Sequence, residues 1–382
     1  MKENLFRTLN KAIPKRDIIL FYSQYDYYDN PYYLYKKMRD LGICDEFECV
    51  WLVESKEGYE RATQDGALAV LLKNKFQALK YILSAKYFVT STTGGAWWKA
   101  KNQIGIFLDH GIPSIKTVGS YLDPKITREQ WKYFDYAIST SHFTRVLQSS
   151  IYQINPNKVI ITGLPRNDIV FESSMKEATG ILEAALNTEI EEYEYRIFYL
   201  PTFRLFEPEY MKRQFLKMMK NPEFVRFLKK YDALIVMKPH RKEENVFREL
   251  LKTHNIDRIK ILSNYYLRKR NLTIYELFKS IDIMVSDYSS VWIEYLLLNR
   301  PIVYHIPDIK RYRKKRGFVI EPYELWTPGD KSYKISDLIT YLEEAINSPE
   351  KWRREREFLQ KMMFKYYDAK ARERIINYFW KK

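Results

Sequence analysis

The residues able to do chemistry in this chain sit in short polar turns, each following a short apolar run. A mostly apolar run from Ile281 to Val285 gives way to Ser286-Asp287-Tyr288-Ser289-Ser290. Val291, Ile293, Glu294 and Leu297 then follow at helical spacing, and Asn299-Arg300-Pro301 stops the helix before a second apolar run, Ile302 to His305. The pattern is strand, polar turn, short helix, strand. Free N–H groups at the start of a helix favour an anion, so Ser289 and Ser290 are candidates for holding a phosphate. A plain helix cap explains the two serines as well. Glu294, about one turn further on, can reach sugar hydroxyls beside that phosphate.

The same arrangement recurs along the chain. Ile104 to Leu108 runs into Asp109-His110-Gly111-Ile112-Pro113-Ser114, where His110 can take a proton from an attacking hydroxyl and Gly111 leaves room for a ligand. Val159 to Thr162 runs into Gly163-Leu164-Pro165-Arg166, where Arg166 is a candidate fork for phosphate oxygens. Arg196 to Leu200 ends in Pro201-Thr202-Phe203-Arg204, and Ala233 to Met237 ends in Lys238-Pro239-His240. Each histidine and arginine also has a plainer reading, as a loop side chain satisfied by ordinary hydrogen bonds. Their shared placement past the carboxyl ends of strands, where open α/β sheets bind ligands, favours a site.

The elements that must position these turns alternate strand and helix, the signature of parallel α/β sheets. Strands are expected at Asp17–Tyr22, Cys49–Glu54, Ala67–Leu71, Tyr87–Thr90, Tyr136–Ser139 and Ile259–Leu262 besides those above, and helices at Pro31–Asp40 and Lys75–Ser84. The stretch 171–195 is acidic and helix-prone and reads as a connection. The expected division is therefore an N-terminal Rossmann-like domain at 1–170, the connection at 171–195, a second Rossmann-like domain at 196–345, and C-terminal helices at 346–382. The basic run Ile309 to Arg316 reads as a solvated loop, or as a contact for a polyanion or acidic lipid.

Composition narrows the partners. A net charge of +16 calls for an anionic partner, and 46% hydrophobic residues exclude wholesale disorder. Two cysteines, Cys44 and Cys49, exclude a disulfide framework and a four-cysteine zinc site, and fit a reducing compartment. No run approaches the ~20 apolar residues of a spanning helix. The dinucleotide fingerprint, the P-loop and the H-E-x-x-H pattern are absent, and no D-x-D stands where a metal-dependent nucleotide-sugar site would need it. No cofactor and no metal ligands are expected; Lys, Arg and helix N-termini must neutralise the phosphates.

In order along the chain, Asp29-Asn30-Pro31 with Tyr33-Leu34-Tyr35, His110-Gly111-Ile112-Pro113, Gly163-Leu164-Pro165-Arg166-Asn167-Asp168, Pro201-Thr202-Phe203-Arg204, Lys238-Pro239-His240 and Ser286-Asp287-Tyr288-Ser289-Ser290 resemble the motifs of the CDP-glycerol glycerophosphotransferase family, which includes the teichoic acid primases and polymerases. The resemblance implies an α/β fold of GT-B type, with two facing Rossmann-like domains. It implies transfer of an alditol phosphate from CDP-glycerol or CDP-ribitol to a hydroxyl of a lipid-linked saccharide or polyol-phosphate chain, with release of CMP. By position it makes His110 the general base and His240 a phosphate-binding catalytic histidine. It places Gly111, Ile112, Pro113, Ser114, Arg166, Thr202, Phe203, Arg204, Lys238, Pro239, Ser289, Ser290 and Glu294 at the substrates. Asp109 stands where the family commonly has Trp, Ser114-Ile115-Lys116 where Leu-Lys-Lys is usual, and Lys238 where Arg is common. The basic, aromatic surface implies peripheral binding at the cytoplasmic face of an anionic membrane. Two other readings remain: a GT-B glycosyltransferase using a nucleotide sugar, and a non-enzymatic RNA-binding protein. The second has a basic, Tyr-rich composition in its favour and no RRM, KH or zinc signature.

Overall fold

The computed structural model describes residues 2–93, 98–112, 115–254 and 256–381, with side chains from Phe6 onward. Pro113 and Ser114, both expected at the substrates, lie outside the described residues. Short β-branched and aromatic runs form two parallel sheets. The first contains β1 (Arg16–Tyr22), β2 (Glu48–Val53), β3 (Leu68–Leu71), β4 (Ala85–Thr90), β5 (Ile104–Phe107), β6 (Tyr136–Ser139) and β7 (Val159–Ile161), in spatial order 3-2-1-4-5-6-7. The second contains β8 (Tyr195–Leu200), β9 (Ala233–Met237), β10 (Ile259–Ile261), β11 (Ile283–Ser286), β12 (Ile302–His305) and β13 (Asp330–Ser332), in order 10-9-8-11-12-13. Both orders run outward from a central strand in each direction, the doubly wound plan. The α/β, GT-B type architecture expected from the sequence is present.

Two compact units carry the sheets. Unit 1 comprises Met1–Pro113, Val118–Glu172 and Met362–Lys382; unit 2 comprises Ser114–Thr117 and Ser173–Lys361. Ile18, Leu20, Val50, Val70, Phe88 and Phe107 belong to the core of unit 1. Ile197, Ile235, Val285 and Val303 pack with Phe215, Phe224, Phe227, Leu338 and Leu342 of covering helices in unit 2. Each large apolar side chain so buried contributes ~1.5–3 kcal/mol.

The structure departs from the sequence expectation in five places. The stretch 346–382 is divided between the units. In unit 1 the buried Asp168 carboxylate accepts the N–H groups of Ala371 at 2.9 Å and Arg372 at 3.0 Å, and the Arg372 Nε at 2.8 Å. Thr140 adds a hydroxyl bond to the Met363 carbonyl at 2.6 Å. Gly163 lies under this segment with φ +86°, and a Cβ there would stand 2.9 Å from that of Ala371. The stretch expected as a helix-prone connection does hold a helix, Met175–Leu186, started by a Ser174/Glu177 capping box, but from Ser173 on it belongs to unit 2, where the helix packs on residues 275–280. The basic run is a helix, Ile309–Lys315, because Ile309 and Tyr312, three apart, are both buried. The edge strand β13 carries no apolar run for a sequence reading to detect. Finally, Cys44 and Cys49 are joined in a disulfide across five residues, which the reading of a reducing compartment does not anticipate.

Candidate functional site

In unit 2, the turns after β9, β8 and β11 lie at the carboxyl ends of three neighbouring strands. β8 and β11 flank the point where the winding of the sheet reverses, the place where such sheets bind ligands. Asp287, just past β11, ties that turn to the one after β8. Its carboxylate accepts the Thr202 N–H at 3.0 Å, the Thr202 hydroxyl at 2.7 Å, Arg204 Nη1 at 2.8 Å and the Ser289 N–H at 3.3 Å. The turn after β9 is tied in by a ring stack, with Phe203 lying 4.9 Å from His240 at 21°.

Arg204, expected at the substrates, is instead an internal strut. It is 1% exposed and forks between Asp287 and Asp308, donating to Asp308 through Nε at 2.8 Å and Nη2 at 3.0 Å. Its guanidinium also lies 4.7 Å from the centre of the Tyr288 ring. Burial works against its charge, but the two aspartates more than offset this and hold its pKa well above the usual arginine value. With the Thr202 carbonyl as a further acceptor, four of its five N–H donors are bound within the protein.

The remaining groups keep more freedom. His240 is half-buried; burial and then the charges of Arg241, Lys238 and Lys242 hold its pKa below the ordinary value, so the ring is neutral at neutral pH. Lys238 Nζ bonds Asn264 Oδ1 at 2.6 Å, and burial lowers its pKa to about 8 against the pull of Glu244. Pro239 accepts from Asn264 Nδ2 at 3.0 Å. Ser290 is the N-cap residue of the helix Val291–Tyr295 and makes no side-chain capping bond, while the Ser289 hydroxyl stands 3.5 Å from the Val291 N–H. Capping by Ser290 therefore does not explain the pair. Glu294, expected near a ribose, is fully buried and accepts the Tyr275 hydroxyl at 2.6 Å.

In unit 1, His110 follows β5 through Asp109, which takes a left-handed φ of +58°. The buried Asp109 carboxylate accepts the His110 N–H at 2.7 Å, the Tyr152 hydroxyl at 2.9 Å and Gln148 Nε2 at 3.3 Å. Asn30 Nδ2 holds the Asp109 carbonyl at 2.9 Å, and Arg166 Nη1 holds the His110 carbonyl at 2.8 Å. The His110 main chain is thus clamped while its ring is 68% exposed, with Nδ1 3.5 Å from Asp109 Oδ1. The imidazole thus has a carboxylate nearby on one side and solvent on the other. Gly111 and Ile112 are buried beneath it. Arg166, expected as an open phosphate fork, is 5% exposed and pairs with Asp29 at 3.0 Å. It positions the His110 loop.

Sequence reasoning passed over the groups that hold this machinery. Asp287, Asp29 and Asn30 lay inside quoted motifs without a role, and nothing marked Asp308. Glu243 was also missed. It is 8% exposed, its Oε1 has no hydrogen-bond partner among the described residues, and burial raises its pKa to about 7. Among the described residues no group of three or more His, Cys, Asp or Glu side chains is placed to hold a metal ion. A cavity of about 890 Å³ shares Asp308 with the strut and is lined by Lys217, Lys310, Arg311 and Lys334. Thr202, His240, Ser289 and Ser290 do not line it, so it neighbours the strand-end cluster without being part of it.

A family model described as CDP-Glycerol:Poly(glycerophosphate) glycerophosphotransferase matches residues 5–381. The chain is 25% identical over 342 residues to a teichoic acid poly(glycerol phosphate) polymerase of Bacillus spizizenii, covering 85% of this chain and 82% of that one. It is 24% identical over 397 residues to a teichoic acid glycerol-phosphate transferase of Staphylococcus aureus, covering 98% and 96%. Among solved structures, the wall teichoic acid polymerase TagF superposes with a TM-score of 0.76 at 21% identity, over 98% of this chain and 92% of that one.

One prediction follows from the edge of the cluster. His305 ends β12 with Nδ1 2.6 Å from the Ser332 hydroxyl, and burial pulls its pKa from 6.5 down to about 4, against the pull of Asp287 and Asp308. The unfolded chain then takes up a proton below about pH 6.5 that the folded chain refuses until about pH 4. Stability should fall through that window as pH drops, by on the order of 3 kcal/mol from this residue. Urea midpoints across the window should slope less for His305→Asn than for the parent; identical slopes would mean that His305 is not held neutral.

Proposed function

We propose a donor, an acceptor class and residue roles for this chain, which belongs to the CDP-glycerol:poly(glycerophosphate) glycerophosphotransferase family. It is a glycerophosphotransferase of teichoic acid synthesis, with CDP-glycerol as donor. The observation that carries the site assignment is the cross-tied set of three strand-end turns in unit 2, with Thr202, Ser289 and Ser290 hydroxyls and a neutral His240 around the carboxyl ends of β8, β9 and β11. Hydroxyls, backbone N–H groups and an imidazole suit the oxygens of a diphosphate. Lys238 adds a nearby cation.

In this reading the acceptor is a hydroxyl of a lipid-linked saccharide or of a growing polyol-phosphate chain. Its oxygen attacks the β-phosphorus of CDP-glycerol. The bond from that phosphorus to the bridging oxygen breaks, and CMP leaves with the electron pair. His110, exposed and beside Asp109, takes the hydroxyl proton. His240 and the serine turn stabilise charge on the phosphates. CDP-ribitol is the competing donor.

The test is incubation with CDP-glycerol or CDP-ribitol and a lipid-linked disaccharide, with CMP release and product masses as readouts. Glycerol phosphate addition with CMP is expected; UMP or UDP release from a nucleotide sugar instead would contradict the reading. His110→Ala should slow single turnover by ~10²–10⁴-fold while calorimetry finds donor affinity unchanged. Near-normal turnover would remove His110 from the base role.

The protein is further proposed to rest on the anionic cytoplasmic face of the membrane. Its charge of +16 supports this, and no helix among the described residues is long and apolar enough to cross a membrane. Suitably placed Lys or Arg contribute about 1 kcal/mol each at such a surface. Raising the salt should release the protein from anionic vesicles, and salt-independent binding to neutral vesicles would count against it.

A further inference from the structure

Lys116 is a cation beside the strand-end cluster of unit 2 to which no role has yet been given. Ser114–Thr117 belongs to unit 2, although the chain on both sides of it belongs to unit 1. An isolated antiparallel bridge pairs Lys116 with Phe318. On one side the Thr117 N–H donates to the Gly317 carbonyl at 3.2 Å, and the Thr117 hydroxyl reaches the same carbonyl at 3.1 Å. On the other side the Val319 N–H donates to the Ile115 carbonyl at 2.5 Å. The main chain is therefore held in place before and after Lys116.

The side chain is harder to account for as structure alone. It is part-buried, and its pKa is lowered by burial first and by Arg316 and Arg204 as well. The carboxylate acting most strongly on it is Asp287. Among the described residues, no acceptor bonds its ammonium group. Asp287 is already engaged by Thr202, Arg204 and Ser289. The strut of one arginine and two aspartates has an excess charge of minus one that draws a cation near, but those hydrogen bonds occupy Asp287. Lys116 is only half-buried, so a ligand that supplies oxygens can reach its ammonium group. Phe318, the bridge partner of Lys116, has its ring 5.6 Å from that of Tyr288, and the Ser289 and Ser290 hydroxyls follow Tyr288 in the same turn.

We propose that Lys116 is a donor-binding residue whose ammonium group grips a diphosphate oxygen of the CDP-alditol beside Thr202, Ser289 and Ser290. The inference rests on the donor reading above and extends it to a residue outside the strand-end turns. It assigns the short excursion of the chain into unit 2 a purpose, which is to bring one cation to the donor phosphates.

Calorimetry on the full chain tests it, with CDP-glycerol, inorganic pyrophosphate and cytidine titrated into the parent, Lys116→Met and Lys116→Arg. Lys116→Met should bind CDP-glycerol and pyrophosphate roughly 10- to 100-fold more weakly, as for loss of a charged hydrogen bond, with cytidine binding unchanged and Lys116→Arg recovering most of the loss. Parent-like affinity of Lys116→Met for both phosphorylated probes overturns the proposal. A parent that binds pyrophosphate through Lys116 but does not bind CDP-glycerol overturns the donor reading and leaves the anion site standing. A measurement on the unmutated protein covers the case in which the variants do not fold. Reductive methylation of Lys116, followed by mass spectrometry, should be slowed by pyrophosphate; equal rates with and without it also overturn the proposal.

Discussion

The second unit of this molecule depends on one buried guanidinium. Arg204 is shared by Asp287 from the turn after β11 and Asp308 from the loop after β12, so three crossings of the second sheet are fixed relative to one another by a single side chain. Two carboxylates and one guanidinium taken out of water are stable only with near-complete hydrogen bonding, and breaking such a set by removing one partner costs about 3–5 kcal/mol. The bonds are nearly complete here. Thr202 and Ser289 occupy the oxygens of Asp287 that Arg204 leaves free, and the Tyr288 hydroxyl donates to Asp308 at 3.0 Å. The consequence is functional. The backbone on both sides of the reversal point in the sheet is held in one conformation, and its hydroxyls can be presented to a ligand without a further ordering cost.

The first unit solves a similar problem with weaker parts. Asn30, Arg166 and Asp109 each hold a main-chain group of the His110 loop, and the ring itself is left in solvent. Asp109 turns the chain through a left-handed residue, and its carboxylate stands 3.5 Å from the imidazole. A tied backbone under an exposed ring suits the base role proposed for His110.

Much of this was legible in the sequence because parallel α/β sheets place ligand residues at strand ends. Alternating apolar runs located nearly every strand, and the polar turns marked the two histidines and the serine pair. What stayed hidden was burial. Arg166 read as a phosphate fork and Arg204 as a substrate contact because an arginine in a strand-end turn looks the same whether its partner is a ligand or the protein's own carboxylate; the partner of Arg204, Asp308, is 104 residues away. The basic stretch at 309–316 read as a loop because only Ile309 and Tyr312 mark its buried face. The return of 362–382 to the first unit rests on Asp168 and on the small size of Gly163, a long-range fit with no local pattern.

The central claim is that the turns organised by Asp287 and Arg204 bind the donor. Asp287→Asn tests it most directly, since the substitution keeps the shape while removing the charge and one acceptor. The measurement is CDP-glycerol affinity by calorimetry on variant protein whose circular dichroism matches the parent. The account expects affinity to fall by roughly tenfold or more, because Thr202 and Ser289 lose the acceptor that orients them. A folded Asp287→Asn protein that binds CDP-glycerol as tightly as the parent would contradict it.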